Sequence, residues 1–128
     1  MLAGKGATDM SGENLQQLLA KFPRGEQTYY HGLNKRVNYT EGVRLFAIQA
    51  KAYWFLDILA TELAILRQQQ EFALIVMTVA KEQAHIRVTD GNDGSPPVFQ
   101  RHITFTDCPA GTWRFYFIKD MIMLPSEY

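Results

Sequence analysis

"EFALIVMTVAKEQAHIRVTD", Glu71 to Asp90, is where the chain changes its period. Residues 72–80 are rich in branched side chains and apolar at consecutive positions, so an extended strand here is apolar on both faces. Residues 83–89 alternate, with Ala84, Ile86 and Val88 directed inward. "DGNDGSPP", Asp90 to Pro97, then concentrates turn formers. "VFQRHITFTD", Val98 to Asp107, reads as a third strand with Phe99, Ile103 and Phe105 on one side, and "WRFYFIKD", Trp113 to Asp120, as a fourth. Four successive strands with short connections imply an antiparallel meander.

Upstream the period is helical. Ser11 is placed to cap "GENLQQLLAKF", which sets Leu15, Leu18, Leu19 and Phe22 on one face before Pro23 ends the helix. A loop runs to about Asn38, with a brief extended piece at "TYYHG" (28–32). Thr40 caps the next helix, and Glu41 in its first turn faces the positive end of the dipole. Between Glu41 and Arg67 there is no Pro, and no Gly after Gly42. One helix of that length spans about 40 Å, long for so small a domain, so a break is expected near Lys51. The expected fold class is α+β: N-terminal helices packed on one face of a four-stranded antiparallel meander sheet. Residues 1–10, Gly-rich and small, are expected to be disordered, and residues 11–128 to form a single domain.

The 128 residues suffice for one core that buries roughly two thirds of the unfolded surface. Thirteen Lys and Arg balance thirteen Asp and Glu, so no global field favours a polyanion; neither nucleic acid nor a membrane is an expected partner. Aromatic "FYF" (115–117) lacks a matching basic stripe along the chain and is read as core. The single Cys108 excludes an internal disulfide, and the start "MLAGKGATDMSGENLQ" has no apolar run of the secretory kind. The expected location is the cytoplasm.

Placed at about 100° per residue, Ile48, Ala52, Phe55, Leu56, Leu59, Leu63 and Leu66 form the stripe expected to cover the sheet. The opposite side carries Ala50, Tyr53, Trp54, Asp57, Ala60, Thr61, Ala64 and Gln68. Two aromatic residues among small ones are costly to leave wet, so this side is expected to be covered. The cover is the first helix, the loop before Thr40 or the C-terminal tail; alternatively a second subunit; alternatively a ligand. The candidate ligand-binding residues are Tyr53, Trp54, Asp57 and Thr61, with Tyr39 beside them.

A hairpin turning near Asp93 pairs positions summing to about 187 and sets His85 opposite His102. Cross-strand neighbours lie ~5 Å apart, but two imidazoles do not complete a metal site, and the expected flanking positions, near Thr78 and Phe117, add no ligand. No metal and no cofactor are expected. "DGNDG" fails as a calcium loop, because Gly94 falls at position five and no Glu follows at twelve. No nucleophile elbow, cysteine-protease signature or phosphate loop occurs, so no catalytic residue is assigned. A sheet with helices on one side needs alternation, whereas "ALIVMTV" and "FYFI" are apolar throughout. The second face therefore needs cover as well, from the tail "MIMLPSEY" or from a second copy of the chain.

"YYHGLNKRVNYTEGVRLFAIQAKAYWFLDILAT", "DGNDG", "ITFTDCP" and "MLPSEY" together resemble a small bacterial family known only as a domain of unknown function. Its tracts are similar to YTEGV, AYWLLD, DGN, EFTDFP and LLPSEY, and the resemblance spans roughly Phe22 to Tyr128. It implies bacterial origin and small size, with no activity, cofactor or catalytic residue to carry over. The matching positions are Tyr39, Thr40, Gly42, Tyr53, Trp54, Asp57, Asp107, Pro109, Pro125, Ser126, Glu127 and Tyr128. Lys51 stands where such proteins often have Gly, and "FPRG" replaces an FTG-like opening. The leading expectation is a non-enzymatic accessory or protein-interaction domain, a homodimer or the partner of another protein. The alternative is a small-molecule binder or enzyme using the groove around Tyr53, Trp54 and Asp57.

Overall fold

The computed structural model describes residues 12–22, 28–30, 37–66, 72–92 and 94–128. The expectations for residues 1–10, Ser11 and Pro23 lie outside them. Among the described residues there are three α-helices, α1 (Gly12–Ala20), α2 (Glu41–Gln49) and α3 (Tyr53–Leu66). Seven strands accompany them: β1 (Thr28–Tyr30), β2 (Asn38–Thr40), β3 (Phe72–Ala80), β4 (Gln83–Thr89), β5 (Phe99–Ile103), β6 (Gly111–Ile118) and β7 (Met121–Met123). A short 3-10 turn, Pro125–Glu127, follows β7.

The strands form one mixed sheet in the order β1-β2-β7-β6-β3-β4-β5, which overturns the expected four-stranded antiparallel meander. β3, β4 and β5 do meander, but β6 crosses back to pair with the other side of β3. The physical reason is in the opening stretch. An antiparallel meander begun at β3 leaves the longest, most continuously apolar strand at an edge, whereas placing it between β4 and β6 gives both its flanks a partner. Of the remaining strands β1 is the brief extended piece expected at 28–32, and β2 and β7 come from segments read as loop and tail: β7 pairs antiparallel with β6 and parallel with β2, and β1 closes the far side.

The break near Lys51 is present. Ala52 N–H donates to the Ala47 carbonyl (2.9 Å) and Lys51 N–H to that of Ile48 (3.4 Å), with Lys51 at φ 55°. This is the paired bonding of a Schellman ending with a lysine at the left-handed position. The break rotates α2 relative to α3. Ala52, Phe55, Leu56, Leu59 and Leu63 are buried as expected, while Ile48 turns out to solvent and Ala50 and Ala60 turn in. Phe46 sits at the centre of the core, with ring centroids 5.0 Å from Phe115, 5.2 Å from Trp113 and 6.1 Å from Phe55. In α1, Leu15 and Leu19 are buried and Leu18 is exposed.

The tail reaches the second sheet face only along one side, where Met121 and Met123 lie in β7 and the Tyr128 ring meets Tyr116 at 5.5 Å. Ile122, Met123 and Leu124 are buried as β7 and its exit, and the 3-10 turn runs to the start of α2. There the fully buried Glu127 accepts from Thr40 Oγ1 (2.5 Å), Gly42 N–H (3.2 Å) and Leu124 N–H (3.0 Å). Thr40 Oγ1 in turn accepts from Val43 N–H, the expected N-cap. A carboxylate at a helix N-terminus meets unsatisfied donors and the positive end of the dipole.

Candidate functional site

The residues singled out beforehand lie on α3 and on β2. α3 carries Tyr53, Trp54, Asp57 and Thr61; Tyr53 is 45% exposed, Asp57 and Thr61 are exposed, and Trp54 is half-buried with its ring 6.2 Å from Phe55. Cover of this side is thus partial. Thr61 Oγ1 donates to the Asp57 carbonyl (3.1 Å), so the hydroxyl is used within the helix. Tyr39, half-buried on β2, stacks on Tyr29 at 5.7 Å, and the Arg44 guanidinium lies 5.0 Å above Tyr29. Burial first, then the neighbouring Tyr53, push the Tyr39 phenol above its ordinary range, with Arg44 opposing.

A groove of about 730 Å³ runs between α1, the start of β6 and the 3-10 turn, lined by Gln16, Leu19, Ala20, Thr112, Arg114 and Pro125 among others. It exists because β7 pairs only with Tyr116–Ile118 and leaves the first half of β6 without a strand on that side. Gln16 Nε2 donates to the Thr112 carbonyl (2.9 Å), and Ser126 Oγ to the Leu19 carbonyl (2.8 Å). No spacing rule links Gln16 to residue 112, so the groove left no signal in the sequence.

The third feature is the sheet face turned away from the helices. Register alone assembles it. Arg114, Val76, Arg87 and Gln100 form one row across β6, β3, β4 and β5. On one side of it Met123, Tyr116, Leu74 and Thr89 form the next row, and beyond them Met121, Ile118 and Phe72. On the other side Thr112, Thr78, His85 and His102 follow. Arg87 and Arg114 are exposed, and Phe72, Leu74, Val76, Tyr116 and Ile118 are partly buried. Among the described residues no acidic side chain lies in a strand. Phe72, Tyr116 and Tyr128 form a ladder of rings at 5.3 and 5.5 Å, the last of them 78% exposed.

His85 does stand opposite His102, as the hairpin arithmetic placed them. The flanking position on β3 is Thr78, as expected, but the strand beyond it brings Thr112 and not Phe117, because β6 lies on the far side of β3. His85 Nε2 is 3.1 Å from Gln100 Oε1, and among the described residues no three His, Cys, Asp or Glu side chains converge on one point. In the "DGNDG" stretch the described residues have turn geometry: Gly91 and Gly94 have φ of 90° and 83°, and Asn92 N–H donates to Asp90 Oδ1 (2.9 Å), which holds that exposed carboxyl below its usual range.

The motif residues mostly explain themselves as architecture. Thr40, Gly42, Leu124 and Glu127 interlock at the start of α2, Pro109 accepts the Trp113 indole N–H (3.0 Å), and Ser126 holds the end of α1. A family model covers residues 13–128. The chain belongs to DUF6876, a family of unknown function. The DUF6876 match begins ahead of Phe22 and takes in nearly all of α1, which contributes to the groove. No curated protein and no solved structure matches the chain. Among the described residues no helix is long and apolar enough to cross a membrane.

Proposed function

We propose that this DUF6876 chain is a non-enzymatic accessory protein that binds its partner through the open face of the sheet. The observation that carries the reading is the row Arg114–Val76–Arg87, two guanidinium groups about one valine, beside an apolar row and, among the described residues, with no carboxylate in a strand. Cations set without counter-charges on a partly apolar surface favour a partner that brings negative charge and apolar area of its own. The proposed setting is the cytoplasm, in keeping with one cysteine held as a buried free thiol.

The test is capture by the immobilised full chain from a cell extract, with the retained material read for protein, nucleic acid and small molecules. Arg87→Glu/Arg114→Glu should lose what the unaltered chain retains, and Tyr53→Ala should keep it. Identical retention by the unaltered and charge-reversed chains rules the reading out.

A second reading rests on the groove, whose size suits a small molecule. Leu19, Ala20 and Pro125 supply apolar wall, and Gln16 and Arg114 supply polar ends, so the matching ligand is a small amphipathic anion. Filling the groove with Ala20→Trp should abolish binding of such a molecule while leaving capture by the open face intact; unchanged small-molecule binding in that variant eliminates the groove.

A further inference from the structure

We infer that the partner of the open face is single-stranded nucleic acid, which its aromatic ladder stacks on and its arginine row neutralises; this rests on the proposed role of that face. The sequence argued against a polyanion because its charges balance and because no basic stripe along the chain accompanies the aromatic residues. Register makes one regardless: Arg87 and Arg114 are far apart in sequence yet both flank Val76. With strands about 4.8 Å apart, the two arginines stand roughly 10 Å from one another across the sheet. His85 and His102 stand one row further, and among the described residues the acidic side chains that border β3, β4 and β6 lie beyond the strand ends, at Glu82, Asp90 and Asp120.

Charge alone suits any polyanion, and the rings narrow the choice. Tyr116 is two residues from Arg114 on the same strand, so its ring and the guanidinium lie on one face about 7 Å apart along β6. A base stacked on Tyr116 therefore carries its phosphate over the arginine row. Tyr128 extends the platform at one end, and Phe72 continues it at the other. Thr78, Thr112 and Gln100 supply hydroxyl and amide groups for base edges and sugars. The rings of Phe72 and Tyr128 are inclined to that of Tyr116 by 50° and 82°, so each offers its face to a separate base, which requires bases that are already unstacked. An acidic peptide satisfies the arginines but leaves the rings without planar partners.

The test is fluorescence anisotropy of the full chain with labelled twelve-nucleotide oligo(U), oligo(dT) and a duplex of equal length, in 50 to 200 mM KCl. Saturable single-strand binding in the range of roughly 1 to 100 µM is expected. With two phosphates neutralised, the slope of log K against log salt should be about −1.4, and Arg87→Ala or Arg114→Ala should each bring it to about −0.7. Tyr116→Leu should weaken binding about fivefold or more, Arg44→Ala should leave it unchanged, and the oligo(U) and oligo(dT) arms separate RNA from DNA as the source of the strand. Circular dichroism of each variant establishes that it is folded.

Three results overturn the inference: no saturable binding at 50 mM KCl, a salt slope indifferent to both arginines, or duplex or polyglutamate binding as tightly as the single strands. The two readings fail separately. Charge reversal that abolishes capture of a protein or small anion, with no oligonucleotide bound, removes the nucleic acid and leaves the working face. Capture indifferent to charge reversal removes both.

Discussion

At the scale of single residues, the buried Glu127 carries more of the architecture than any side chain picked out by composition. Its carboxylate receives a hydroxyl and two backbone N–H groups from two separate segments, all inaccessible to water. Glu127→Ala leaves those donors without a partner and should destabilise the chain by about 3 kcal/mol, read as a shift of the urea midpoint at constant m-value. Gly42 is the other half of the lock: a Cβ there meets Leu124 Cδ1 at 2.5 Å and Glu127 Oε1 at 2.7 Å. Gly42→Ala should cost about 1 to 3 kcal/mol by overpacking, and a near-neutral result refutes the interlock. Both residues were visible as family-like motif positions, but periodicity cannot show that a terminal "PSEY" folds onto a cap more than eighty residues upstream.

Cys108 is the second case. Burial pushes its thiol up to about 12, against an ordinary value of about 8.5. The unfolded thiol therefore ionises first as pH rises, so this contribution to stability is whole below about pH 8.5 and declines between there and about pH 12. Cys108→Ala should flatten that part of the pH–stability curve measured by urea unfolding. The native thiol should also react with a disulfide reagent at pH 7.5 at least tenfold more slowly than the denatured chain. Equal rates show the thiol to be accessible.

At the scale of elements, tight turns are made here with unexpected residues. Lys51 occupies a left-handed position at the end of α2, and the hairpin turns Lys81-Glu82 and Lys119-Asp120 have positive φ at both residues. Glycine, asparagine and aspartate are the ordinary signals for such turns, which is why the first break was legible only through helix length. Lys51→Gly removes the Cβ strain at φ 55° and should raise stability by about 1 kcal/mol, seen as an increase in Tm of a few degrees. A fall in Tm shows that the lysine side chain supplies more than its backbone strain costs.

The same scale shows what else could be read. Thr40 as a cap, the stripe from Ala52 to Leu63 and the His85–His102 register followed from local periods of 3.6 and 2. Strands β1, β2 and β7 have three residues each, too short for a period to register, and they form because non-local partners complete their hydrogen bonds. The open sheet face was illegible for the same reason. Phe115 and Phe117, the aromatic residues most conspicuous in sequence, point into the core, while Tyr116 between them points out. Only pairing of β6 with β3 puts Arg114 beside Val76.

At the scale of the whole molecule, the two ends of the chain close the sheet on each other. β7 bridges β6 to β2 through a parallel pair, Asn38 with Met121 and Tyr39 with Ile122, and the Asn38 N–H donates to the Asp120 carbonyl at 2.8 Å. The first helices therefore do not dock on a finished sheet; the sheet is finished by the segment that also caps α2. Truncation after Asp120 removes the burial of Ile122 and Leu124, each worth about 2 kcal/mol or more, together with the roughly 3 kcal/mol assigned to Glu127. It also leaves β1 and β2 with no strand to join. That sum is comparable to the whole stability of a domain this size, about 5 to 15 kcal/mol. The truncated chain should thus show no cooperative thermal transition, lose the near-ultraviolet signal of Trp113 and bind a hydrophobic dye. A truncated chain that still melts cooperatively within about 5 °C of the full one would show that the β3–β6 half of the sheet stands without its closing strand.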